Sequence, residues 1–218
     1  MSPESPVADV HAGQAVLAAG TALQGARAAV VMLHGRGGSA ADILALHTEL
    51  DTAGVAYLAP QAAGNTWYPN RFMEPVATNE PWLSSALQAV AQTLATVAAG
   101  GIAPERTVLL GFSQGACLAL EFAARNRCRY GGVVALSGGL IGADTGPRDV
   151  PASLAGTPLL LGCSDVDAHI PLQRVQLAAQ EMERLGGAVT LRIYPGMGHT
   201  VNRDELDWVS ALLKTLAQ

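Results

Sequence analysis

The stretch that most constrains this chain is Gly111-Phe112-Ser113-Gln114-Gly115, set between an apolar run and an Ala/Leu-rich segment. The preceding run, Arg106-Thr107-Val108-Leu109-Leu110, is β-branched and leucine-rich, as a buried strand would be. The following residues, Ala116 to Ala124, favour a helix. A strand that becomes a helix within five residues, with glycine two positions either side of a serine, is the nucleophile elbow. Such a turn strains the serine backbone and lifts the hydroxyl clear of the sheet edge. Gln114 then opens the helix, so its backbone N–H lacks an intrahelical partner and points towards the serine. With 24 glycines in the chain, a chance G-x-S-x-G is not rare. The strand before it and the helix after it give the motif its meaning.

Strand and helix signals alternate along the rest of the chain. Gln14–Ala19 is a weak strand signal, and Ala28–Leu33 a clear one that ends in His34-Gly35-Arg36-Gly37-Gly38. Ser39-Ala40-Ala41-Asp42 resembles a capping box and starts a helix expected to reach about Leu50. Val55–Ala59 is a short strand closed by Pro60, and residues 81–99 form a long amphipathic helix. Strands follow at Gly132–Ser137, Pro158–Cys163 and Ala188–Tyr194, with helices over Leu172–Leu185 and from the segment after His199 to about Ala217. This order predicts an α/β fold with a mainly parallel sheet and helices on both faces. Residues 1–13 read as a flexible tail and 14–218 as one domain. The loops at 61–80 and 138–157 are too short for a separate cap domain.

Composition removes several classes of function. Half of the 218 residues are hydrophobic and 14% are charged, enough for a sheet covered on both faces. The net charge of −5, with no basic cluster, argues against a nucleic-acid partner or an anionic membrane surface. Three cysteines, Cys117, Cys128 and Cys163, show no metal-binding spacing, so no metal or other cofactor is expected. No apolar run approaches about 18 residues, and the N-terminus has no charged leader region, so a cytoplasmic protein without a membrane span is expected.

A serine nucleophile needs a base, and the base an acid partner. In sheets of this kind such groups gather just after the strands. In hydrolases with this elbow the chain order is serine, acid, histidine. Of the five histidines, His11 lies in the tail, His47 mid-helix, His34 before the serine and His169 in the loop after Cys163. His199 follows the last strand and has a strand-end carboxylate between it and Ser113, so it is the expected base. Asp165 and Asp167 both follow the strand ending at Cys163, and spacing does not separate them. Each could equally be shaping the loop. Asp144 and Asp149 are weaker candidates. A second oxyanion donor is expected from the glycine-rich turn at His34–Gly37.

Together these segments resemble the phospholipase/carboxylesterase family of α/β-hydrolases. Leu33-His34-Gly35-Arg36-Gly37 is similar to its L-H-G-x-G segment, and Gly111–Gly115 to its G-F-S-Q-G elbow. Asp167-Ala168-His169-Ile170-Pro171 resembles its D-x-x-V/I-P segment, and Gly196-Met197-Gly198-His199 its G-x-x-H segment. The resemblance selects Asp167 as the acid. It also implies the backbone amides of Arg36 and Gln114 as the oxyanion hole. Two departures bear on substrate: Arg36 stands where eukaryotic thioesterases carry an apolar residue, and residues 67–72 resemble bacterial carboxylesterase-like members.

The expected activity is hydrolysis of small carboxylic esters, thioesters included, through an acyl-enzyme, in a shallow and fairly open cleft. Loop position nominates Trp67, Tyr68, Phe72, Leu140 and Met197 as its lining. The Arg36 side chain is expected to be solvated rather than in contact with substrate. Acyl-protein thioesterase or lysophospholipase-type activity, or peptidase or acyltransferase chemistry with the same triad, are the alternatives, and a non-catalytic binding module is the remote one. Apolar residues exposed in the two loops could form a homodimer surface.

Overall fold

The computed structural model describes residues 9–50, 53–143 and 152–218. Asp144 and Asp149, and much of the 138–157 loop, lie outside these residues.

Among the described residues, the apolar runs form a seven-stranded sheet of β1 (Val16–Gly20), β2 (Ala28–Leu33), β3 (Val55–Pro60), β4 (Thr107–Phe112), β5 (Gly132–Leu136), β6 (Pro158–Ser164) and β7 (Ala188–Tyr194). The strand order is β1-β3-β2-β4-β5-β6-β7; β1 is antiparallel to β3, and every other pairing is parallel. Every residue of β2 and β3 is buried, which is why these strands read as continuous apolar runs.

The two-residue period of a strand sorts its side chains into two cores. Ala29, Val31 and Leu33 of β2 pack with α2 (Trp82–Ala99), α3 (Gln114–Arg125) and α4 (Leu172–Arg184) on one face. Ala28, Val30 and Met32 pack with α1 (Ala40–Leu44) and α5 (Arg203–Leu216) on the other. Each buried Val or Leu contributes roughly 1.5–3 kcal/mol of transfer free energy, so the doubly covered centre is the natural place to hold a strained turn. Among the described residues, no helix is long and apolar enough to cross a membrane.

Three local expectations shift. The capping box at Ser39 and Asp42 forms, but the α-helix behind it stops at Leu44 and continues as a 3-10 segment over Ala45–Glu49. The elbow strand runs on through Gly111 and Phe112. His11, read from sequence as tail, is 4% exposed. Its backbone N–H donates to Ser85 Oγ at 2.9 Å, and its ring bridges the Trp67 carbonyl at 3.0 Å and the Ala63 amide at 3.1 Å. A lone histidine in a polar stretch gives no periodicity from which such docking could be read.

Glu205 is fully buried at the start of α5, where Asn202 and Glu205 close a second capping box. Gly162 of β6 makes room for it: a Cβ there would lie 2.0 Å from Glu205 Oε1. Burial pushes the Glu205 carboxyl up to about 7, with the Asn202 amide partly opposing the rise. The native chain therefore keeps this proton to about pH 7, whereas the unfolded chain releases it near the ordinary value of 4.5. Between those values the unfolded state binds fewer protons, so stability falls as pH rises through the window and then levels. Glu205→Gln keeps the capping acceptor and abolishes the titration. It should raise the melting temperature at pH 8 by roughly 5 °C and leave it nearly unchanged at pH 4.5. Equal shifts at both pH values would contradict this assignment.

Candidate active site

The elbow is built by contacts that exclude side chains. A Cβ at Gly111 would lie 2.2 Å from the Gly115 carbonyl oxygen, and one at Gly115 would lie 2.1 Å from that of Leu33. The glycines let the start of α3 press onto β2 and β4. Ser113 is left at φ 54°, ψ −116°, a left-handed conformation that only a tightly packed surrounding maintains. Its amide donates to Leu136 O at 2.9 Å, and its carbonyl accepts the Cys117 N–H at 3.0 Å.

Two loops from the ends of β6 and β7 bring partners to it. His199 Nε2 lies 2.8 Å from Ser113 Oγ, and His199 Nδ1 lies 2.7 Å from Asp167 Oδ2. Carboxylate accepts only, so Nδ1 carries the proton and Nε2 is the acceptor for the serine hydroxyl. The Asp167 side chain is fully buried and that of His199 is 19% exposed. Asp167 Oδ1 accepts from the His169 and Ile170 amides at 2.8 and 3.0 Å. Burial pushes the Asp167 carboxyl up; the bonds from His199 and the two amides outweigh it and hold the carboxyl below its ordinary value. Asp165 is placed elsewhere: its Oδ1 accepts the Gly196 N–H at 2.8 Å and ties the β6 loop to the β7 loop.

Cys117, one helical turn after Ser113, also faces the cleft. Burial pushes its thiol up to about 11, which keeps it neutral and a poor nucleophile. Neither the Arg36 nor the Gln114 backbone N–H has a protein acceptor among the described residues.

The cleft has a volume of about 970 Å³. Tyr68 and Phe72 line it, with Ser113, Gln114 and His199. Trp67, Leu140 and Met197 do not. Trp67 is fully buried behind the wall, where its indole N–H donates to the His34 carbonyl at 2.9 Å and its ring packs against His34 and His11. Leu140 is likewise fully buried, and Met197 places its sulfur 3.2 Å from Asn202 Nδ2. Burial keeps the His34 imidazole below its ordinary pKa, in keeping with its place in the wall rather than at the serine.

Sequence reasoning missed the polar side of the cleft, where Asn70, Arg71, Glu74 and Thr78 are exposed. It also missed His169, whose ring lies 4.7 Å from that of His199. The only signal for His169 was its position two residues after Asp167. The Arg36 side chain, read as exposed and solvated, is exposed, and it also gathers backbone carbonyls: Tyr68 at 2.9 Å, Pro69 at 2.7 Å and Asn70 at 2.6 Å. Arg174, whose guanidinium lies over the Phe72 ring, donates from Nη2 to the Leu140 and Gly142 carbonyls, and the Gly142 amide donates to that of Phe72. Irregular backbone in the Tyr68–Asn70 wall and behind Phe72 is thus held by guanidinium groups.

A mainly parallel sheet with a strained serine at the strand–helix turn defines an α/β-hydrolase. The family model described as Phospholipase/Carboxylesterase matches residues 18–217, and the chain belongs to that family. A phospholipase/carboxylesterase from Dyadobacter fermentans DSM 18053 has a similar structure, with a TM-score of 0.88 and 42% identity over 92% of this chain and 96% of that one. Esterase PE8 superposes with a TM-score of 0.75 at 26% identity, covering 93% of this chain and 99% of that one. In sequence, the chain is 37% identical to acyl-protein thioesterase 1 of Gibberella zeae over 116 residues, 52% of this chain and 49% of the relative. It thus spans about half the length of that relative.

Gly115→Ala should test the packing that builds the elbow. A backbone oxygen at 2.1 Å from the new methyl cannot rotate away, so a loss of about 3 kcal/mol or more is expected. Thermal melts should show a fall of roughly 6–12 °C or loss of soluble protein; an unchanged melting temperature would contradict the packing.

Proposed function

We propose that this protein hydrolyses small carboxylic esters through an acyl-enzyme on Ser113. The observation that carries the reading is the hydrogen-bonded series Asp167 Oδ2, His199 Nδ1–Nε2 and Ser113 Oγ, at 2.7 and 2.8 Å. Ser113 Oγ attacks the ester carbonyl carbon while its proton passes to His199 Nε2. The Asp167 carboxylate holds the ring and stabilises the imidazolium. The free backbone amides of Arg36 and Gln114 donate to the oxyanion, where removing one such donor generally costs on the order of 100-fold or more in rate. The C–O bond to the leaving group breaks as Nε2 returns the proton to it. Water then loses a proton to Nε2, attacks the acyl carbon, and the free acid leaves with Ser113 Oγ reprotonated. Thioester hydrolysis by the same steps is the second reading, supported by the relatives named acyl-protein thioesterase 1.

Hydrolysis of p-nitrophenyl acetate and butyrate tests these roles. Ser113→Ala and His199→Ala should each lower kcat by at least about 1,000-fold while remaining folded. Asp167→Asn should be severely slowed and Asp165→Asn only mildly, since the latter loses a tie between loops. Wild-type turnover in either of the first two, or the reverse order of the two aspartates, would sink the assignment.

Phe72→Ala should alter the acetate-to-butyrate preference. Trp67→Ala should instead act through stability, costing about 3–5 kcal/mol by cavity formation. An unchanged chain-length preference in Phe72→Ala would remove Phe72 from the substrate wall.

A further inference from the structure

The two amides read as oxyanion donors come from different parts of the sheet: Arg36 follows β2, and Gln114 follows β4. Their spacing must be held to a fraction of an ångström to be useful. Gln114 is fixed as the first residue of α3. Arg36 is not fixed by secondary structure. It sits between Gly35 and Gly37-Gly38, with Gly37 at φ +76°, in a turn whose glycines permit many conformations.

The side chains of these same two residues converge on one atom. The Tyr68 carbonyl oxygen accepts from Arg36 Nη2 at 2.9 Å and from Gln114 Nε2 at 2.8 Å. Each side chain takes a further hold on the segment. Arg36 Nη1 donates to the Pro69 carbonyl at 2.7 Å and Nη2 to that of Asn70 at 2.6 Å, while Gln114 Oε1 accepts the Trp67 N–H at 2.9 Å. The turn is tied to the same region a second time, by Gly37 N–H to the Asn65 carbonyl at 2.7 Å. The segment is itself anchored in the core through Trp67 and His34.

We infer that residues 65–70 act as a tie bar setting the distance between the two oxyanion amides, with the Arg36 guanidinium as a positioning group. This rests on the acyl-enzyme reading for its catalytic consequence. A planar fork suits the task, because two nitrogens in fixed geometry reach three successive carbonyls, whereas an ammonium must gather them at a single nitrogen on a flexible stem. Because the tie acts on the oxyanion contact, its loss should appear in kcat rather than KM.

The test uses Arg36→Ala, Arg36→Lys, Gln114→Ala and the Arg36→Ala/Gln114→Ala double variant, all of which keep the backbone amides. Turnover of p-nitrophenyl butyrate is expressed per active site counted from the p-nitrophenolate burst, so a smaller folded fraction does not count as slower catalysis. Arg36→Ala should lower kcat roughly 10- to 100-fold, with KM within about threefold of wild type. Arg36→Lys should fall between. The double variant should lose less than the product of the single losses, since either change alone already breaks the Arg36–Tyr68–Gln114 bridge. Hydrogen exchange of residues 65–71 should quicken in Arg36→Ala. An unchanged kcat per site, a loss confined to KM, or a fully multiplicative double variant would each overturn the proposal. If Arg36→Ala does not fold, Arg36→Lys and Gln114→Ala carry the same comparison. If Ser113→Ala keeps its turnover, it is the acyl-enzyme reading that fails. The tie bar is then decided by exchange alone, with unchanged exchange in Arg36→Ala refuting it and faster exchange sustaining it.

Discussion

At Gly111 and Gly115, the start of α3 approaches the backbones of β4 and β2 so closely that no Cβ fits between them. Every other part of the site depends on that approach. It drives Ser113 to positive φ, turns the hydroxyl outward and leaves the Gln114 amide uncapped at the helix start. Holding a non-glycine residue in that conformation costs on the order of 1–3 kcal/mol. The cost is met by two fully buried apolar layers, because β2 and β4 are covered on both faces. A hydrolase elbow needs such a doubly packed sheet beneath it for this reason.

The partners of Ser113 arrive on longer and less regular segments, so they need supports of their own. Asp167 is held by two backbone amides that follow it, and Asp165 ties its loop to the segment that carries His199. The backbone of the Tyr68–Asn70 wall and of the segment behind Phe72 is irregular, and its carbonyls are satisfied by arginine side chains rather than by ladders. Arg36 and Arg174 therefore hold main chain.

Legibility in the sequence followed the range of the interactions concerned. The strands and the elbow were readable because burial on both faces and the glycine requirement act locally and leave continuous apolar runs and a fixed spacing. Chain order nominated His199, whose Nε2 lies 2.8 Å from Ser113 Oγ. Asp165 and Asp167 were not separable by pattern, since both are strand-end aspartates and differ only in whether the carboxylate meets an imidazole or the Gly196 amide; the resemblance to the family chose between them. The lining of the cleft was read poorly. Trp67 looked like a substrate contact because it stands in a long loop, yet it is a buried anchor, and nothing periodic in a loop says which way a side chain faces. Arg36 is exposed as read, but its partners were not legible, for a related reason: they are carbonyl oxygens, which every residue has and no sequence advertises.

The proposed reaction puts the acyl group on Ser113 Oγ. The most direct measurement is to treat the folded protein with a fluorophosphonate and locate the adduct by peptide mass spectrometry. The account predicts one adduct per chain, on the peptide carrying Ser113, with labelling abolished in Ser113→Ala and strongly slowed in His199→Ala. A folded protein that takes up no label, or carries it on any other residue, would contradict it.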